Sequence, residues 1–265
     1  MKRRSILSTL LAGASTLALP LSATAQVVNI NDTINKAGRQ RMLSQRAAKC
    51  YMAMGQGVLL DAASKTLEAS MAMFDLQLVE LKAFSPTPTI KTTYTELEAA
   101  WSEYKGALVG KTPDKSGAAS VIVLSGKVLQ LANQGTVQLE RVSGKPAGQL
   151  VNMSGRQRML SQRMAAFYLA ASWGVQSTAS AAEVTKARDE FVKAHAELKT
   201  APQATDAIKS ELDMASSQFT FLESALRNLK PGAGETQAQA NVFTTSERIL
   251  QLMNGVTGLY EKINT

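Results

Sequence analysis

A single cysteine, Cys50, in 265 residues closes off two ways of holding a fold together. No internal disulfide can form, and a structural zinc site built from cysteines has no ligands. Histidine is equally scarce. His195, in "FVKAHAELK", has no second histidine or cysteine to complete a catalytic or metal constellation, so a solvated or half-buried helix position is expected for it. Aromatic residues make up 5% of the chain. The net charge of +8 is not gathered into basic clusters interleaved with aromatics, which argues against nucleic acid as a partner. A nucleophile paired with a base, a glycine-rich phosphate loop and a recurring carboxylate pair are also missing, and the "GKT" at 110–112 lacks the loop that would precede it. The chain is therefore read as a non-enzyme without metal or cofactor.

Long apolar runs are absent after residue 25. No later segment approaches the roughly 18 to 20 continuous apolar residues of a bilayer span, so the mature chain is not expected to cross a membrane. The first 25 residues are different. Lys2, Arg3 and Arg4 precede the apolar stretch "ILSTLLAGASTLALPL" and then "ATAQ", with Ala23 and Ala25 where a signal peptidase expects small residues. Residues 1–25 read as an export signal cleaved after Ala25, giving a periplasmic protein. The "RRSIL" start leaves both the general secretory and the twin-arginine routes open. Without the three basic residues of that segment, the mature chain carries +5, a moderate excess that suits an anionic ligand.

What the sequence does contain is a repeat. The nonapeptide "GRQRMLSQR" occupies 38–46 and again 155–163. At the same spacing of 117 residues Asn35 matches Asn152, Tyr51 matches Tyr168, Phe74 matches Phe191, and "ELK" at 80–82 matches 197–199. After small insertions "VLQLAN" at 128–133 lines up with "ILQLMN" at 249–254. Two units, 26–144 and 145–265, are joined near "SGKPAG" at 143–148, where glycine and proline interrupt any helix. Each unit is rich in Ala, Leu, Gln, Glu, Lys and Met and is punctuated by "SPTPT", "KTPDKSG" and "KPGAGE". That composition predicts four helices per unit, near 29–60, 62–84, 90–109 and 118–142, then 149–177, 180–200, 204–229 and 236–263. The expected architecture is all-α, two tandem antiparallel four-helix bundles forming a pseudo-dimer, with a single eight-helix array as the alternative.

On a helical wheel the first helix of each unit shows two stripes. Leu43, Ala47, Cys50 and Met54, with Leu160, Met164, Phe167 and Ala171, form an apolar face for the unit's own core. Opposite lie Ile34, Gly38, Arg41, Gln45, Ala48 and Met52, matched by Val151, Gly155, Arg158, Gln162, Ala165 and Leu169. A helix apolar on two sides needs two partners, and the equivalent helix of the other unit is the expected second one. Gly38 and Gly155 would let the backbones approach. Arg41 and Arg158 would then meet across the seam, an expensive arrangement unless something negative sits between them. A small oxyanion held by both guanidinium groups, with the Gln45 and Gln162 amides as additional donors, answers that requirement. Arg39, Arg46, Arg156 and Arg163 flank the core stripe and are expected to pair with acidic groups of neighbouring helices.

"INKAGRQRMLSQR" and "VNMSGRQRMLSQR" resemble the signature of the PilJ-type domain, the type IV pilus methyl-accepting chemotaxis transducer N-terminal domain. They are also similar to the P-box of the nitrate/nitrite sensor kinases. The resemblance implies a periplasmic four-helix bundle whose first helix pairs with a second copy, holding nitrate or nitrite between them by an arginine and backbone near a glycine. By position that arginine falls on Arg41 and Arg158, and the glycine on Gly38 and Gly155. This chain has Arg39-Gln40 and Arg156-Gln157 between them, nearer the pilus transducers than the nitrate sensors. The expected function is a periplasmic binding protein for nitrate or nitrite acting through a separate membrane sensor or transporter. The alternative is an interaction module, without small ligand, that docks on a chemoreceptor, sensor kinase or pilus component.

Overall fold

The computed structural model describes residues 29–263, so the export signal expected at 1–25 lies outside the described residues. Eight helices account for nearly all of that span: α1 (Ile30–Gly55), α2 (Leu60–Phe84), α3 (Pro88–Leu108), α4 (Lys115–Ser143), α5 (Pro146–Trp173), α6 (Ser177–Thr200), α7 (Asp206–Arg227) and α8 (Thr236–Glu261). Local chemistry sets their ends. The Asn29 side chain accepts from the Asp32 amide at 2.8 Å and starts α1, and Asp114 accepts from the Gly117 amide to start α4. Thr87 caps α3 just before Pro88, whose missing N–H costs nothing in the first turn. Gly144, at φ 61°, closes α4, and Pro146 opens α5, leaving a two-residue link inside the segment where the sequence predicts the break.

In the first half α1 packs on α2 and α4, while α3 closes the ring against α4 and α2. The second half repeats this with α5 on α6 and α8, and α7 against α8 and α6. These are the two expected antiparallel bundles. They are joined along α1 and α5, the most extensive helix pair in the molecule, so the apolar cores of both halves form one continuous cluster.

The equivalences run deep. Trp101 stacks on Phe74 with ring centroids 3.9 Å apart, and Phe219 stacks on Phe191 at 4.5 Å at the matching place in the second bundle. Leu59 and Gln176, 117 residues apart, both take left-handed backbone (φ 48° and 46°) to start α2 and α6. His195 lies on α6, deeper than the solvated or half-buried helix position expected of it. It is buried rather than solvated, its Nε2 lies 3.1 Å from the Leu212 carbonyl and 2.8 Å from Ser216 Oγ, and its ring stacks on Phe191. Burial lowers its pKa below the ordinary imidazole value, and it serves as a neutral core residue. Cys50 is also fully enclosed, with its thiol pushed up to about 12 by burial.

Candidate functional site

Helices α1 and α5 are buried on almost every side, because each is sandwiched between its own bundle and its counterpart. Polar residues on such helices must find partners within the protein. The seam is closest at the glycines: a Cβ on Gly38 would lie 4.0 Å from the Gly155 Cα. It would also lie 3.2 Å from Arg41 Nη2 and 3.6 Å from Arg158 Nη2, and a Cβ on Gly155 would meet the same two atoms at 3.7 and 3.0 Å. Both guanidinium groups therefore converge on the glycine crossing, and absence of a side chain there makes the room for them.

Arg41 and Arg158 are 1% and 0% exposed, and among the described residues no carboxylate touches either. Arg41 Nη1 donates to Asn133 Oδ1 of α4 at 2.9 Å, and its Nη2 donates to the Asn152 carbonyl of α5 at 3.1 Å. Arg158 repeats this with Asn254 of α8 at 3.0 Å and the Asn35 carbonyl of α1 at 3.3 Å, adding Asn35 Oδ1 at 2.8 Å. Each arginine thus takes one oxygen from its own bundle, while Arg41 takes one and Arg158 two from the other. The acids stand one residue further out, where Asn35 Nδ2 donates to Glu261 and Asn152 Nδ2 donates to Glu140. Instead of the negative group expected between the two charges, neutral oxygens surround their outer edges.

That leaves an electrostatic cost. Burial pushes the Arg41 pKa down to about 9, with the Arg156 charge adding to it, and Arg158 is lowered well below its usual value by burial and by the Arg39 and Arg41 charges. The Nε–H of each arginine is buried with no acceptor. Unmade hydrogen bonds of this kind cost about 1–3 kcal/mol each, more when the donor is charged. Two buried arginines therefore each keep an unused donor among the described residues.

The glutamines behave differently from the sequence expectation. Gln45 Nε2 donates to the Ser125 carbonyl at 3.3 Å, and Gln162 Nε2 donates to the Ser246 carbonyl at 3.0 Å. These donors tie α1 to α4 and α5 to α8, and are not free for a ligand. Gln45 Oε1 in turn accepts from Arg163 Nη1 at 2.9 Å.

Three of the four flanking arginines pair with acids on neighbouring helices: Arg46 with Glu247, Arg156 with Glu190, and Arg163 with Glu183. Arg39 makes no ion pair among the described residues. It lines a crevice of about 310 Å³ that reaches Asn254, the cap of Arg158. Burial lowers its pKa despite the fields of Glu261, Asp32 and Glu80.

Sequence reasoning missed two features of this region. The four asparagines, Asn35, Asn133, Asn152 and Asn254, were visible as repeat matches but were not connected with the arginines. Lys49 was not singled out at all. It is fully buried, bonded to Ser246 Oγ at 3.1 Å and to Glu247, and 4.2 Å from the Phe243 ring centroid. Its counterpart in the second unit is Ala166, so the repeat gives no signal for it.

No curated protein and no solved structure matches the chain. The family model described as "Type IV pili methyl-accepting chemotaxis transducer N-term", PilJ, matches twice in tandem, over residues 23–136 and 143–256. Domains of this family are sensory or interaction modules of chemoreceptor systems, and no described helix is long and apolar enough to cross a membrane. With both matches together covering most of its length, and each containing one copy of the arginine helix, this chain belongs to the PilJ family as a tandem of two such domains.

Proposed function

We propose that the protein is a periplasmic sensory module that holds one nitrate or nitrite ion between Arg41 and Arg158, beside Gly38 and Gly155, and passes its state to a separate signalling partner. The single observation behind this reading is the pair of fully buried guanidinium groups that share no carboxylate and keep an unpartnered Nε–H each. A small planar oxyanion carries the charge and the acceptors these groups lack. Charge-assisted hydrogen bonds contribute on the order of 1.5–3 kcal/mol each, so about four of them, set against the cost of binding, give micromolar to millimolar affinity. The tandem units at 26–144 and 145–265, and cleavage after Ala25, complete this reading. The Gln45 and Gln162 amides act in it as braces for the arginine helices.

A second reading has its own support. The Nη donors already meet Asn133, Asn254 and two main-chain carbonyls, so the seam can close without an ion and present an outer surface to a chemoreceptor, sensor kinase or pilus component. Calorimetric titration of residues 26–265 with nitrate, nitrite, chloride, sulfate and phosphate separates the two. One ion per chain is expected, with Arg41→Met and Arg158→Met each removing most of the affinity and the double variant little more, because both groups act on the same ion. Nitrate and nitrite silent against the wild-type protein would leave the interaction module as the function.

A further inference from the structure

The two bundles differ most sharply on the outer face of their last two helices. The buried residues of α3 and α7 register Ile90 with Ile208, Trp101 with Phe219 and Leu108 with Leu226. That register sets Glu103 level with Phe221, and the matching one for α4 and α8 sets Lys127 level with Arg248. In the first bundle, Lys127 and Glu103 close a surface ion pair at 2.9 Å. In the second, the acid has become a phenylalanine that is 67% exposed, the only aromatic among the large exposed apolar side chains of the described residues. Arg248, in turn, has no carboxylate at ion-pair distance among the described residues.

A single exposed apolar side chain needs no partner, but Phe221 is joined by Met214 along one face of α7, and grouped apolar surface of that kind marks interaction sites. The surroundings are concave. Two crevices of about 620 and 530 Å³ run between α7 and α8 and share Arg248 and Gln218. Phe221 lines the first, and Met214, 45% exposed and one heptad before it on α7, lines the second. Gln218 Oε1 is buried at the junction with no donor. Carboxylates border the groove only at its ends, Glu235 bonded to Lys230 at 3.4 Å and Glu211 beside Gly255. The positions equivalent to Met214 and Phe221 in the first bundle are Glu96 and Glu103, so that face carries acid where this one carries apolar surface.

We infer that the α7–α8 groove docks an amphipathic helical segment of a partner protein, which lays apolar side chains on Phe221 and Met214 and a carboxylate on Arg248. Met214 and Phe221 stand seven residues apart on one helix, the spacing at which a second helix in a groove places its anchors. Aromatic and arginine side chains are also the residue types that dominate such contacts. The unpaired Arg248 chooses an acidic partner over a basic one. This inference does not depend on anion binding at the arginine seam.

The test uses a phage-displayed library of 16-residue peptides selected against residues 26–265, with affinities of the enriched peptides measured by fluorescence polarisation. Peptides combining apolar residues at helical spacing with Asp or Glu are expected. Phe221→Glu and Arg248→Glu should each weaken them at least tenfold, with circular dichroism melting unchanged because both side chains are at the surface. Glu103→Ala on the opposite bundle should leave them unaffected. Failure to enrich any peptide, or enriched peptides that bind the two groove variants as well as the wild type, would overturn the inference. So would sedimentation velocity showing that the wild type self-associates and Phe221→Glu does not, since the occupant would then be a second copy of this chain.

Discussion

Arg41 and Arg158 sit in identical nonapeptides and make matching bonds, whereas Arg46 and Arg163 sit in the same nonapeptides and do not. Arg46 takes its acid, Glu247, from the other bundle, but Arg163 takes Glu183 from its own and crosses only to the neutral Gln45 amide. Arg156 has Glu190, and its counterpart Arg39 makes no ion pair among the described residues. The difference lies outside the repeat. Thr66 and Met73 stand in α2 where α6 has Glu183 and Glu190, and Gly126 stands in α4 where α8 has Glu247. The central pair, by contrast, draws on Asn133 and Asn254 and on the carbonyls of Asn35 and Asn152, which are present in both units. Two halves that share one structure at the seam keep the same partners there, and each half solves its periphery separately.

The largest break in this symmetry should come from Glu247. Glu247→Ala strands the buried Lys49 with no charge partner, only a serine hydroxyl and the Phe243 ring, at an expected cost of about 3–5 kcal/mol in urea unfolding. Glu183→Ala, at the half-exposed edge of the second bundle, should cost no more than about 1 kcal/mol. Equal losses would show that Lys49 is less committed to its acid than its burial implies. The same asymmetry has a pH signature. Burial alone would raise the Glu247 carboxyl, but the Lys49 and Arg46 charges outweigh it and hold it down at about 2. Its contribution is therefore complete above the ordinary glutamate pKa and is lost as pH falls from about 4.5 toward 2, by on the order of 3 kcal/mol. Glu247→Gln should flatten that part of a stability profile.

The seam itself should respond symmetrically. Gly38→Val and Gly155→Val each push a branched side chain into guanidinium atoms 3.0 to 3.7 Å from the new Cβ, so each should cost about 1–3 kcal/mol, with the two values nearly equal. A large difference between them would mean that the two-fold character of the crossing is only apparent. The smallest effects belong to the periphery. Arg46→Ala and Arg163→Ala should lower stability by about 1 kcal/mol and change nitrate affinity less than twofold, against the near-complete loss from Arg41→Met, read in the same titration.

Much of this architecture was legible because repetition and periodicity act on the residues that pack. The two stripes on the arginine helix, the glycine contact and the placement of Arg41 and Arg158 on the seam follow from a wheel and a 117-residue spacing. The wheel gives only the direction of a side chain, however, and says nothing about which oxygen waits at its end. Gln45 and Arg41 point to the same broad side, yet one reaches a carbonyl of α4 and the other crosses to α5. Lys49 shows a different limit: its acid comes from a helix nearly 200 residues away, at a position the first unit fills with glycine. No local pattern encodes such a meeting.

The link of Gly144 and Lys145 between α4 and α5 has a further consequence. If the two units were separate molecules, each would have to find its counterpart by diffusion, and the number of complete seams would fall with the square of protein concentration. A short covalent connection replaces that encounter with an effective concentration on the order of millimolar. The tandem chain therefore assembles its paired arginines at any expression level, and occupancy of the site, where an ion binds there, tracks the ion alone.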